Sequence, residues 1–590
     1  MDEQKNQETE PKPVDRTAEE ATEPEPKPAK KISIGGSRWH RLKTWYVSHK
    51  KLSIPLTVLV LLLLLAVVPW TRYKIGGLFI KKDVLVYTAD SKSGSTIYQA
   101  GVTLDGKRPG ASGKPPYPYY FKGVSIGRHK ISFGASYYKS SQNVVTIDVG
   151  LSKNHNIKIL GQATGRLVTI RLTNKISGKA VPNLQVKAGK SVTKTDWKGD
   201  GSVVVDPNLT SVQVEISGQG YNTFVTKVPV NAGEVNFNQV VVVPAGKIYF
   251  LSKLSGKIDV VKTDLDGANR QTVLAGTGNE DDQNTVLLAS RDWKYLALLS
   301  RRAGTFDTLY LIDTSNDSLT VIDEGDVTFD LLGWSDNYFT YVVHRPSVSA
   351  WQSNASSIKS YNAQTKQLIS LNSTSATGSS NADAVYETYI IKPILLDNVI
   401  VYEKTWYKYP GYLTVDGHTN SLNAIKPDGT GSKQIKILDS AKSYFGDMVF
   451  HSPSSVYVGI SNVDGSAGSY YELNLSGALT QKDLTSDDVF KTYPTYLFSP
   501  NDKQTFWAEP RDGKNTLLIG DSDGLNGKST ASLSDYSPYG WYTDTYLLVS
   551  KNSSELYIMP ADGTKNPTKI SDYHKPAQSF NGYGGGYGGI

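Results

Sequence analysis

The 590-residue chain contains no cysteine. Disulfide staples, thiolate metal sites, cysteine nucleophiles and acylation at a lipoprotein cysteine are therefore excluded. Its eight histidines are scattered, and none falls in a metal-binding spacing such as H-E-x-x-H. Long runs of Ala, Leu, Glu and Lys are missing, and with them the usual material of surface helices. No G-x-S-x-G elbow, P-loop or Rossmann fingerprint occurs, so no catalytic residue, metal or cofactor is expected. The net charge of +7 is modest for this length. Outside the N-terminal region no basic stripe with interleaved aromatics stands out along the sequence, so nucleic acid is not an expected partner.

What is present favours strands. Tyr (36) and Gly (52) are plentiful, and Ser, Thr, Asn and Asp recur in short clusters that suit tight turns. The length leaves room for three or four domains.

The first eighty residues differ from the rest. Residues 1–30, with stretches such as Glu23-Pro24-Glu25-Pro26, hold too few apolar groups to offset chain entropy and predict a disordered tail. Residues 31–51 bring Lys31, Arg38, Arg41, Lys43, Lys50 and Lys51 with no acid, beside Trp39, Trp45 and Tyr46. A basic, aromatic segment of this kind suits the headgroup layer of an anionic leaflet. Leu52 to Trp70 then reads LSIPLTVLVLLLLLAVVPW without one charge, which predicts a helix spanning a lipid bilayer. Trp70 and Tyr73 would mark its far interface. More positive charge precedes the span than follows it, although Arg72, Lys74, Lys81 and Lys82 lie beyond. The expectation is a cytoplasmic N-terminus and an extracytoplasmic remainder. A cleaved signal peptide is the rival reading, but Ala66-Val67-Val68-Pro69 lacks the small-x-small cleavage pattern.

Residues 83–160 alternate apolar and polar positions between turn signals such as Asp105-Gly106. Ala100-Gly101-Val102-Thr103-Leu104-Asp105-Gly106, followed by Val124 to Ile131 with Gly127-Arg128-His129, resembles a PEGA-type domain. The resemblance implies a small β-sandwich in which His129 packs a strand. Residues 162–243 resemble a carboxypeptidase regulatory-like domain through Ser177-Gly178-Lys179-Ala180-Val181-Pro182-Asn183-Leu184, Thr195-Asp196-Trp197-Lys198-Gly199 and Gly218-Gln219-Gly220-Tyr221. That resemblance implies a second sandwich without peptidase chemistry, acting as a spacer or binding platform. Asp196 and Gly199 should form a turn, and Tyr221 should plug one end.

Residues 245–590 repeat themselves every forty to sixty residues. A strand entered through a Ser/Asp turn recurs at Ser290–Ala297, Trp334–Tyr341, Leu396–Val401, Phe450–Tyr457, Phe498–Lys503 and Trp541–Leu548. Asp-Gly pairs such as Asp266-Gly267, Asp428-Gly429 and Asp562-Gly563 suit two-residue hairpin turns. These residues resemble TolB-like and WD-repeat-like β-propellers. Seven blades are counted if Pro576–Tyr583 supplies an entry strand for the first repeat, and six if the tail is only a flexible end.

Overall, the sequence predicts a mainly β chain with one transmembrane helix, two sandwiches and a C-terminal propeller. Chemistry is thinly marked. Glu403, Trp406, Tyr407, Tyr409 and Tyr412 form the richest aromatic cluster and are expected in an inserted loop that binds a peptide or glycan. The expected function is a membrane-anchored, non-enzymatic binding or scaffold protein of the cell envelope, with an envelope protein or glycan as partner. Two alternatives stand beside it: a propeller glycan hydrolase or lyase, which needs converging carboxylates, and a receptor signalling through its cytoplasmic tail.

Overall fold

Strands make up most of the chain, as its β-branched and turn-forming residues dictate. The computed structural model describes Ser48 and residues 50–571, apart from Val68, Ser553 and the segments 111–117, 149–151, 232–235, 349–352, 378–383, 410–417, 486–496, 512–513 and 531–534. The tail at 1–30, most of the basic segment at 31–51, Tyr412 and the closing strand expected at Pro576–Tyr583 lie outside the described residues. The chain divides into two compact units. One comprises residues 1–89, 98–135 and 140–161; the other comprises 90–97, 136–139 and 162–590.

The first unit begins with helix α1, Lys50–Val67, 18 residues long. It starts two residues earlier than the apolar run, so Pro55 lies inside it rather than in its first turn. Helix α2, Pro69–Phe79, opens on a proline at the position where a missing N–H costs least. At ~1.5 Å per residue, α1 is about 27 Å long against a hydrocarbon core of about 30 Å. No helix among the described residues is long and apolar enough to cross a membrane. Two three-stranded sheets follow. Lys81–Asp90 lies between Tyr119–Ser125 and Asn154–Gly161, and Gly127–Gly134 lies between Gly101–Leu104 and Ser141–Ile147. The strand Gly127–Gly134 alternates buried and exposed positions, so Ile131 and Phe133 enter the core with Val84, Val86 and Leu104 while Arg128 and Lys130 face out.

The second unit holds another two-sheet sandwich and a ring of sheets. In the sandwich, Arg166–Asn174 is the centre of a three-stranded sheet facing a four-stranded one, over a core of Val168, Ile170, Val186, Val203 and Val214. The expected turn is present: Asp196 accepts hydrogen bonds from the Lys198 and Asp200 N–H groups at 2.8 and 2.9 Å. Gly199 is required there, since it has φ +78° and a Cβ would lie 2.5 Å from the Leu172 carbonyl oxygen.

Seven antiparallel sheets then follow in sequence order: 247–274, 286–324, 328–373, 375–439, 443–482, 504–529 and 537–571, called here sheets 1 to 7. Inner strands such as Tyr295–Ser300 and Thr308–Asp313 are buried almost throughout, because each sheet is covered on both faces by its neighbours. The outermost strand Ser318–Glu324 is mostly exposed. Shared apolar clusters join sheet 2 to sheet 3 through Leu288, Leu311 and Trp334, sheet 3 to sheet 4 through Ile358 and Tyr402, and sheet 4 to sheet 5 through Leu396 and Phe450. Phe450 meets Phe498 edge-on at 5.5 Å on the way to sheet 6, and Phe506 and Trp541 share the cluster of sheets 6 and 7. A last cluster joins sheets 7, 1 and 2 through Tyr542, Phe250 and Leu298. The ring therefore closes on itself, and the fold is a β-propeller of seven sheets.

Candidate functional site

Two of the turns that lead into buried strands, one in sheet 2 and one just before sheet 6, are built alike. In sheet 2, the Ser290 hydroxyl donates to Asp292 at 2.8 Å and accepts from the Tyr295 N–H at 3.1 Å. Before sheet 6, Ser499 donates to Asn501 at 2.8 Å and accepts from the Gln504 N–H at 3.0 Å. The fourth residue of each turn, Trp293 or Asp502, has a left-handed backbone with φ of +60° or +58°. Glycine usually takes that position because it has no Cβ to clash. Here the strained position carries a functional group instead.

The Arg291 guanidinium uses this placement. Its Nη1 reaches the Asp502 carboxylate at 2.6 Å and the Pro500 carbonyl oxygen at 3.0 Å. Sheets 2 and 6 are not neighbours in the ring, so this ion pair spans the central opening. Both side chains are only about a quarter exposed, 26% and 28%. Around it, the Asn501 N–H donates to Asp544 of sheet 7 at 3.0 Å, and the Asp397 N–H of sheet 4 donates to the Pro453 carbonyl at 3.1 Å. The turns of four sheets, with the segment Ser499–Gln504, thus meet at one mouth of the channel.

Charge is unevenly held there. Burial pushes the Asp502 carboxyl above the ordinary carboxylate value; Arg291 opposes that, while Asp397 and Asp544 add to it. Asp292 goes the other way. Burial would raise it, but hydrogen bonds from Lys294 and Ser290 outweigh that and hold it low. Among the described residues no three His, Asp or Glu side chains converge to hold a metal ion.

Tryptophan anchors two of these strands. Trp334 donates its indole N–H to the Leu288 carbonyl at 3.1 Å, and Trp541 donates to the Leu497 carbonyl at 2.8 Å, each reaching the innermost segment of the preceding sheet. That contact explains why the repeat carries Trp at its entry.

The second sandwich is joined to the propeller rather than strung beside it. Asn174, 5% exposed, donates through Nδ2 to the hydroxyls of Tyr221 at 2.9 Å and Tyr546 at 2.8 Å. Its Oδ1 accepts from the N–H groups of Ile176 and Ser177 at 2.8 and 2.9 Å. One side chain therefore makes four hydrogen bonds, of which the one to Tyr546 crosses the seam. Ile176, fully buried, belongs to the cluster of sheets 7, 1 and 2. Lys175 pairs with Asp266 at 2.8 Å, and Lys179 pairs with Asp562. Tyr221 thus ends the sandwich as expected, and it does so at the propeller.

The aromatic cluster expected in a loop lies on a strand as far as Tyr409. Val399–Tyr409 carries Glu403, Trp406, Tyr407 and Tyr409, paired with the 13-residue strand Ala384–Leu396. Glu403 is 4% exposed and Trp406 half-buried. Glu403 and Trp406 are separated by an odd number of residues and so lie on opposite faces of the sheet. His129, expected to pack a strand, is buried with Nδ1 2.6 Å from Asp105 and Nε2 2.8 Å from the Ser125 carbonyl oxygen. The channel-mouth pair was missed by the sequence reading; the nearest signal was the Ser/Asp turn itself.

No protein-family model matches the chain, and no curated protein matches it. Among solved structures it is similar to an oligogalacturonate lyase in complex with manganese, at 11% identity over 54% of this chain and 87% of that one, TM-score 0.32. It is also similar to the β-propeller domain of the Trilobed protease from Pyrococcus furiosus, at 11% identity over 62% and 95%, TM-score 0.32. TolB from Acinetobacter baumannii is similar at 11% identity over 54% and 77%, TM-score 0.25. These are propeller proteins, and the likeness extends to fold alone.

Proposed function

We propose that this chain is a membrane-anchored, non-enzymatic binding protein whose sandwich–propeller unit faces a protein or glycan of the cell envelope. The helix around Leu61 is its anchor, with the N-terminus cytoplasmic and the remainder extracytoplasmic. Support comes from the apolar side chains α1 presents to its surroundings: Ile54, Leu56, Val58, Leu59, Val60, Leu61 and Leu63 are each about half exposed. The sandwiches, PEGA-like and carboxypeptidase regulatory-like by resemblance, serve as non-catalytic supports.

The observation that carries the binding reading is the Arg291–Asp502 pair. A glycosidase needs two carboxyl groups available to substrate, whereas here the convergent carboxylate is held by a guanidinium and that of Asp544 accepts a backbone N–H. A second reading is favoured by the upward shift of Asp502 beside Asp397 and Asp544, since a carboxyl that keeps its proton can act as a general acid. On that reading the protein is an envelope glycan hydrolase or lyase.

Crosslinking on intact cells, followed by mass spectrometry of captured partners, tests the binding reading. It predicts a saturable partner that soluble sandwich–propeller unit competes away. Recovery of only lipids and abundant proteins, unaffected by competitor, would contradict it.

A further inference from the structure

The net charge of +7 hides a division along the chain. Residues 71–161 carry fourteen Lys and Arg against four Asp and no Glu, a net charge of +10. Residues 162–590 carry 38 basic against 43 acidic residues, a net charge of −5. The excess belongs to the small sandwich that follows the apolar helix.

Topology gathers part of that charge at one pole. Lys81 begins the strand Lys81–Asp90 and pairs with Ser125, the end of Tyr119–Ser125. The Asp83 N–H bonds the Lys153 carbonyl at 3.1 Å, one residue before Asn154–Gly161 begins. Gly127 opens the strand that carries Arg128. Helix α2 packs against this same end. A Cβ on Gly76 or Gly77 would lie 2.9 Å from Ile126, the Ile126 N–H reaches the Ile80 carbonyl at 3.3 Å, and the Tyr73 hydroxyl donates to Asp148 at 2.5 Å. Lys81, Lys122, Arg128 and Lys153 are exposed around the helix end and, among the described residues, form no ion pair.

The carboxylates of the unit offset only part of this charge, Asp83 lying in the field of Lys122 and Lys153. Asp83 accepts from the Gly123 N–H at 3.0 Å, Asp105 holds His129 at 2.6 Å, and Asp148 holds Tyr73. Between helix and sandwich, Leu78, Phe79 and Ile80 are 73%, 82% and 37% exposed. An apolar triplet beside exposed lysine and arginine in net excess, continuous with an apolar helix, has the chemistry of a bilayer interface: rings and alkyl chains for the acyl boundary, cations for phosphate.

We propose that the helix-proximal pole of the first sandwich docks on anionic lipid headgroups, giving the protein a peripheral membrane contact in addition to its anchor. This inference rests on the anchoring proposed above. The sandwich then lies on the membrane surface rather than standing away from it.

The full chain placed in nanodiscs of neutral phosphatidylcholine, or of the same lipid with about 30% phosphatidylglycerol, tests this. Acetylation rates of Lys122 and Lys153, read by mass spectrometry, should fall at least about fivefold in the anionic discs, with Lys366 of the propeller unchanged. High salt should restore them, because the contact is screened. The surface variant Lys81→Glu with Arg128→Glu should restore them while the chain stays in the disc. Equal labelling in both discs by an incorporated chain would overturn the docking and leave the anchor standing. A chain that enters neither disc would overturn the anchor and the docking together. Equal protection in neutral discs by soluble polyphosphate would replace the bilayer by a free polyanion and overturn the proposal.

Discussion

Two of the arginine–aspartate pairs in the second unit have opposite character. Arg166 meets Asp90 at 2.7 Å with both side chains nearly dry, 3% and 1% exposed. Arg291 meets Asp502 at 2.6 Å at the channel mouth, with each about a quarter exposed. Burial raises both carboxyls. For Asp90 it is overcome by Arg166 and by the Ser93 and Lys92 N–H groups, each 2.9 Å away, which bring it down from 3.8 to about 2. Asp502, with no such N–H donor among the described residues, faces Asp397 and Asp544 and is raised. The guanidinium is common to both, so the remaining neighbours decide the sign. Asp90–Arg166 is a rivet; Arg291–Asp502 is a closure that its surroundings strain.

Breaking the rivet should cost most. Arg166→Met leaves a buried carboxylate without its cation and should lower the stability of the second unit by about 3–5 kcal/mol, measured by urea unfolding. The pH dependence has a definite sign. Asp90 sits below its unfolded value of 3.8, so its stabilisation is complete above about pH 4 and is lost as pH falls toward about 2. That limb is worth about 2 kcal/mol, and Asp90→Asn should flatten it. Next comes the seam: Asn174→Ala removes four hydrogen bonds, one of them to the propeller residue Tyr546, and should cost about 1–3 kcal/mol in the same measurement. Arg291→Met should cost about 1 kcal/mol at pH 7, since partial exposure softens the loss. Its effect should shrink in acid, because Asp502 protonates at a higher pH than an ordinary carboxyl. The smallest change belongs to Asp502→Asn, within about 0.5 kcal/mol, as Asn tolerates the left-handed backbone and removes the repulsion from Asp397 and Asp544. If Asp502→Asn costs as much as Arg166→Met, the two pairs are alike and the contrast is wrong.

Much of the fold was legible because its signals are local. Trp334 and Trp541 head recurring strands, and Asp-Gly pairs mark hairpins, so repeat and architecture could be read from neighbours in sequence. The site was not local. Arg291 and Asp502 are 211 residues apart, and the seam joins Asn174 to Tyr546 across 372. The Ser290 and Ser499 turns also lack the glycine that marks their type, since Trp293 and Asp502 stand in its place. The aromatic run at Glu403–Tyr409 looked like a loop because its strand is longer than those of most other sheets, and its aromatic residues stand close together in sequence. The basic pole escaped notice for a related reason. Its residues lie at strand ends distant in sequence, so no run of charge announces them.

Turnover on envelope glycans tests the central claim most directly. The full chain and its Asp502→Asn variant are incubated with polygalacturonate and with soluble peptidoglycan fragments, and new reducing ends and unsaturated products are followed. A binding protein whose channel-mouth carboxylate is occupied by Arg291 predicts no product from either. Product formed by the wild type and abolished by Asp502→Asn would contradict it and make Asp502 the acid of an enzyme.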